Sequence, residues 1–178
     1  MLKLLDAMKS GPAWLSDRLP KMSESGAEKR ELLGLLDESV LFHGVPQATL
    51  LNLVQQSMRI SLKQGEQLLA PGMQNEYVYV ILAGQLSVHL VPENADQPIA
   101  LLNAGDCVGE MSVLMNSDVS AWVAAESDCQ LLAIGYSTFW QLLKGSNEAA
   151  LNMVNILVKR IRAGNEAITQ SRSAGSAR

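Results

Sequence analysis

The chain has 178 residues, 48% apolar and 18% charged, with a formal net charge of −4. That length allows one ordinary domain with helical extensions, and the apolar fraction excludes a chain disordered throughout. Fourteen Lys and Arg against eighteen Asp and Glu argue against a surface that wraps nucleic acid.

In chain order, Leu2, Leu5 and Met8 predict a short amphipathic helix that Gly11-Pro12 stops, with a turn at Pro20 and a polar linker from Lys21 to Gly26. Trp14, close behind the break, is a candidate partner contact. Ser25 and Glu28 have capping-box spacing, and Leu32, Leu33, Leu36 and Val40 supply the apolar face of a helix over about 27–39. Pro46 opens another, ending near residue 57. From residue 58 the period changes to alternation. The runs MRISL, QLLA, EYVYVILAG, QLSVHLV, PIALLN, AWVAA and CQLLAIG, separated by glycines and turns, predict an all-β roll, sandwich or barrel. After Gly135 the helical period returns in TFWQLL and in a long helix from Asn147 to about 169. The expected organisation is a helical extension over 1–39, a roll over 40–145, a C-terminal helix over 146–169 and a disordered tail over 170–178.

On the last helix, Leu151, Val154, Val158, Ile161, Asn165 and Ile168 follow at spacings of 3, 4, 3, 4 and 3. This is an a/d seam with Asn165 at an a position, and it suits a parallel homodimer in one register. β-Branched residues at d and Gly164 oppose a tight seam, and the same face could instead pack on the roll.

The two cysteines, Cys107 and Cys129, and the two histidines, His43 and His89, have no metal-ligand spacing, so neither a metal nor a disulfide framework is expected. Ser112 and Ser120 have no neighbouring general base, so no enzyme activity is expected. The N-terminus lacks the unbroken apolar core of a secretory signal, and no run approaches the roughly 18 residues of a membrane span. A cytoplasmic protein follows.

The net charge conceals a split. Residues 60–158 hold only Lys63 and Lys144 against ten acids, a net of −8, whereas 159–178 hold five bases and one acid, a net of +4. The acidic segment contains AGDCVGEMSVLMNSDVSAWVAA, in which a Gly-Glu and a short helical stretch interrupt the strands. Successive backbone amides at such a turn can face an anion. Gly65, Gly72, Gly84, Gly105, Gly109-Glu110 and the preceding Leu41-Phe42-x-Gly44-Val45-Pro46 together resemble the cyclic nucleotide-binding domain family, over about residues 40–168. Ser120-Ala121-Trp122-Val123 is most similar to its bacterial catabolite activator branch. The resemblance implies an α+β fold, a jelly-roll-like double-stranded β-helix flanked by N-terminal helices and a long C-terminal helix. It also implies a phosphate-binding cassette in which Glu110 holds a ribose hydroxyl. Gly109, Met111, Ser112, Ser120 and Ala121 would complete the ligand contacts.

The family's phosphate-binding arginine is not there. Val119 takes its place beside Asp118, and no arginine lies between Arg59 and Arg160. A charge-assisted contact is worth roughly 1.5–3 kcal/mol, so its loss costs about two decades of affinity. Lys63 compensates only if it projects into the pocket. The expected function is a regulatory or adaptor protein, dimeric and working through a protein partner that the N-terminal helices engage, with a degenerate phosphate site and no cofactor. The alternative is a true sensor of cAMP, cGMP or another small ligand that signals through the last helix. About ten residues follow Ile168, too few for a helix-turn-helix, so no DNA binding is expected.

Overall fold

The structure, a computed structural model, describes residues 26–90 and 98–175. The helix expected near the N-terminus and Trp14 lie outside the described residues. Two helices lead, α1 (Gly26–Asp37) and α2 (Gln47–Gln55). The strands β1 (Met58–Leu62), β2 (Gln67–Leu69), β3 (Tyr77–Ala83), β4 (Gln85–His89), β5 (Ala100–Asn103) and β6 (Cys107–Val108) follow. Then come the short helix α3 (Glu110–Met115), strands β7 (Trp122–Ala125) and β8 (Cys129–Gly135), and helices α4 (Tyr136–Gly145) and α5 (Asn147–Gly175).

The strands form two antiparallel four-stranded sheets, ordered β1-β8-β3-β6 and β2-β7-β4-β5, the β-roll that the glycine pattern implies. Why β3 reads as an almost unbroken apolar run is visible in its register. Tyr79 opposite Ala133 and Ile81 opposite Leu131 point into the roll, where Ile60, Leu69, Leu86 and Val123 join them. The alternate residues Val78, Val80 and Leu82, with Leu132 and Ile134, point outward. There Leu32, Leu36, Phe42, Leu53, Phe139 and Met153 cover the sheet with a layer of helix. A sheet buried on both faces needs apolar residues at every position, because each side chain left in water forfeits roughly 1.5–3 kcal/mol. The molecule thus has three layers, helices over one sheet over the second sheet, and α1 belongs to the packed body.

Two boundaries differ from the sequence reading. Strand β6 is two residues long, too short to leave a period, and is recognised only by its pairing of Val108 with Tyr79 and Cys107 with Val80. The last helix runs on to Gly175, past residue 169, through a stretch first assigned to a disordered tail. Ala, Gln, Ser and Arg there include no proline, so nothing in the chain breaks the helix before the glycine. Among the described residues no helix is long and apolar enough to cross a membrane.

Gly84 makes the turn between β3 and β4 at φ 89°, and a Cβ there would lie 2.4 Å from the Asp128 carbonyl oxygen and 2.7 Å from Cys129 Sγ. Both the left-handed backbone and the space exclude a side chain. Gly84→Ala is expected to cost about 2–4 kcal/mol in urea unfolding, with an unchanged denaturant slope.

Candidate functional site

The Gly-Glu turn sits where β6 leaves the sheet. Gly109 is the left-handed N-cap of α3, at φ 86°. A Cβ there would meet the Tyr77 carbonyl oxygen at 2.7 Å and Asn75 Nδ2 at 2.9 Å, so the chain passes too close for any other residue. Asn75 braces the turn from outside. Its Nδ2 donates to the carbonyl oxygens of Tyr77 (2.7 Å) and Gly109 (3.2 Å) and to Ser112 Oγ (3.0 Å). Ser112 Oγ in turn donates to the Gly109 carbonyl, at 2.9 Å. Ser112 is therefore buried and engaged within the turn, while Met111 and Ser120 are exposed and Ala121 is half-buried.

Glu110 is fully buried, at 0% exposure. Its Oε1 accepts a hydrogen bond from Arg160 Nη1, and Arg160 Nη2 donates to the Cys107 carbonyl oxygen. Burial works against the Arg160 charge, but the carboxylate of Glu110 outweighs it and holds the guanidinium above its ordinary pKa. The Cys107 thiol beside them is pushed up to about 12, by burial first and then by the Glu110 charge. Glu110 Oε2 is buried with no hydrogen-bond partner among the described residues.

Arg160 is the residue that reading along the roll missed, because it arrives from α5. The signal was present in the helix. Ala149, Met153, Ile156 and Arg160 follow at spacings of 4, 3 and 4, and the first three pack against the helical layer. An arginine in line with a buried apolar row needs a partner wherever its head is taken out of water. Asn75 carried no such signal, being one polar residue in a polar loop.

At the position where the resemblance implies an arginine, Val119 is held by its backbone. Its N–H donates to the Met73 carbonyl at 2.9 Å, and its own carbonyl accepts from Gly72 N–H at 2.9 Å. Its side chain, 7% exposed, belongs to the apolar cluster inside the roll with Leu69, Tyr79 and Val123. Lys63 supplies no substitute: its Nζ donates to Asp128 Oδ2 at 2.6 Å on the exposed β1–β2 turn. That contact raises the lysine pKa and lowers that of the aspartate.

Of the seam, Leu151 (64% exposed), Val154, Val158 and Ile161 (62%) face away from the roll, and Asn165 is exposed too. The side chain of Ile168 lies outside the described residues. Packing of this face on its own domain is thereby ruled out for these five residues.

A roll of two antiparallel sheets, entered at a Gly-Glu turn that a long outer helix grips through an ion pair, defines the class of β-roll domains. Residues 59–146 match the family model described as a cyclic nucleotide-binding domain, and the roll of this chain belongs to that family. The cAMP-activated global transcriptional regulator CRP of Salmonella typhimurium is 27% identical over 103 residues, 57% of this chain and 49% of that protein. The chain thus spans about half the length of the curated relatives it matches. Two solved structures share the fold. A cyclic nucleotide-binding domain from Methylobacillus flagellatus superposes with a TM-score of 0.69 at 22% identity, covering 87% of this chain and 90% of that one. The regulatory subunit of a cAMP-independent protein kinase A from Trypanosoma brucei gives 0.64 at 19% identity, over 82% and 52%.

Two predictions follow from the ion pair. Arg160→Met leaves a buried carboxylate unpaired and is expected to cost about 3 kcal/mol, whereas the double variant with Glu110→Gln recovers most of it. A double-mutant cycle by urea unfolding reads this directly, and additive losses would contradict the pairing. With both thiols buried and raised in pKa, Cys107 and Cys129 should resist alkylation in the native protein at mildly alkaline pH. Both should label once it is unfolded.

Proposed function

We propose that this chain is a non-enzymatic regulatory module whose phosphate site has lost its ligand charge, and that it acts as a homodimer through a protein partner in the cytoplasm. Val119, buried among apolar side chains where the family resemblance implies an arginine, carries the reading. A cyclic phosphate there would meet a hydrocarbon wall, with Asp118 beside it and Lys63 paired elsewhere. Burying an unpaired anion in such surroundings costs several kcal/mol. The fold accommodates such a role, since a domain of similar fold belongs to a kinase regulatory subunit described as cAMP-independent. The dimer is supported by the exposed row Leu151, Val154, Val158 and Ile161, whose heptad spacing matches a partner helix of the same kind.

One observation favours a second reading, a sensor of a small hydroxylated ligand. Glu110 Oε2 is a buried acceptor with no partner among the described residues, and a ligand hydroxyl donated to it would remove that cost. In that reading Gly109, Glu110, Met111, Ser112, Ser120 and Ala121 would form the contacts, and the ligand would act on the packing of α5.

Calorimetric titration with cAMP and cGMP separates the two. The module reading expects no saturable heat up to about millimolar ligand, a binding energy weaker than roughly 4 kcal/mol. Micromolar binding that Glu110→Ala abolishes would establish the sensor instead. Light scattering tests the seam: the wild type should run as a dimer and Val158→Glu as a monomer of unchanged secondary structure.

A further inference from the structure

We propose that the groove between α3 and α4, on the outside of the roll, docks a basic amphipathic segment of a partner protein. The proposal rests on the reading that the chain works through such a partner, and it supplies the surface and the chemistry. The groove has a volume of about 730 Å³ and runs between the loop before β3, the rear of α3 and the start of α4. Glu110 is not in its lining, so it is distinct from the buried ion pair.

The lining carries two exposed carboxylates, Glu76 and Asp118, and no basic side chain. Tyr136, 45% exposed, stands at one wall beside them, its N–H bonded to the Glu76 carbonyl at 2.8 Å. Its ring is 6.2 Å from that of Trp140, and Lys144 Nζ lies 5.7 Å from the centre of the Trp140 ring. This aromatic row on α4 thus already holds a cation at its far end, while the Tyr136 end opens on the acidic groove. A guanidinium or ammonium group entering there meets a ring face and carboxylates together. Phosphate and nucleic acid are disfavoured by the same charges.

Beside the groove lies an apolar strip. Met111 and Met115 (70% exposed) stand one turn apart on α3, and Ser112 and Asn116, each one residue further round the helix, line the groove. Exposed methionines adapt to varied apolar partners. Acidic groove and methionine strip together complement a segment with one basic and one apolar face, which a small free cation would use only in part.

The test is a titration of the full-length protein with a short amphipathic peptide of leucine and arginine, followed by backbone amide shifts. The same peptide with glutamate for arginine is the control. Saturable shifts are expected at Asn116, Ser117 and Tyr136 with the basic peptide alone. Glu76→Gln with Asp118→Asn should weaken binding about tenfold, and Met111→Gln with Met115→Gln by a similar factor, at unchanged melting temperature. Absence of saturable shifts, shifts spread over the acidic roll, or binding that either double variant leaves intact overturns the groove. A protein inert to both nucleotide and peptide keeps its standing as a module and loses this site. One that binds nucleotide through Glu110 loses the module reading, whatever the peptide does.

Discussion

A carboxylate with no access to water governs how the parts of this molecule are joined. Glu110 begins α3 at the mouth of the roll, and leaving its carboxylate unpaired there would cost about 3 kcal/mol, a large share of a domain's margin of stability. The roll contains no cation that answers it. The answer comes from the fourth turn of α5, whose arginine reaches both the carboxylate and the Cys107 carbonyl. Asn152, further back on the same helix, donates to the carbonyls of Leu41 (3.2 Å) and His43 (2.8 Å). Two polar anchors and an apolar row between them fix both the height and the rotation of α5. The exposed row is a consequence of that fixing: with one face committed to the roll, Leu151, Val154, Val158 and Ile161 are left uncovered among the described residues.

The charge distribution acquires a physical meaning from the same pair. The segment 60–158 is strongly acidic, and Glu110, its one fully buried acid among the described residues, is neutralised from outside the segment by the first arginine after Arg59. Arg160 is in this respect part of the roll's electrostatics. Arg160 does not replace the arginine whose place Val119 holds, because it approaches the Glu110 side of the turn while Val119 faces the apolar interior. The turn thus meets a cation at its Glu110 end and an apolar side chain at Val119.

Most of the fold was legible because its signals are local and periodic. The double burial of the sheet shows in the run YVYVILA, the roll in the spacing of turns, and the long helix in its heptads. What escaped had no local signal. Strand β6 is too short for a period, and the end of α5 lies in residues that tolerate a helix as readily as a coil. The site was half legible. Gly109 and Glu110 stand out because the turn demands them, and the loss of the arginine at Val119 is plain in the chain. That Arg160 and Asn75 meet the turn is a fact of tertiary packing across separations of 50 and 34 residues. The Ser112 hydroxyl, too, is engaged by that packing, since it completes the brace with Asn75 and Gly109.

The short helix α3 is thus held from two sides by different chemistry. On one side a charged bond ties its first residue to α5, and on the other two neutral hydrogen bonds from Asn75, to the Gly109 carbonyl and to Ser112 Oγ, tie its cap and first turn to the loop before β3. A neutral bond contributes about 1 kcal/mol net, whereas breaking a buried ion pair costs about three times that. The Asn75 side is therefore the one that yields first, and it is the side the groove exposes. An occupant of the groove shifts the turn only by as much as it binds the shifted arrangement better than this one, against the two Asn75 bonds worth about 2 kcal/mol together. That amount is enough for regulation and too small to unseat Arg160. Events at the groove and at Glu110 share a helix without sharing a fate: a change at the Asn75 side leaves the ion pair, and with it the placing of α5 and its exposed apolar row, intact.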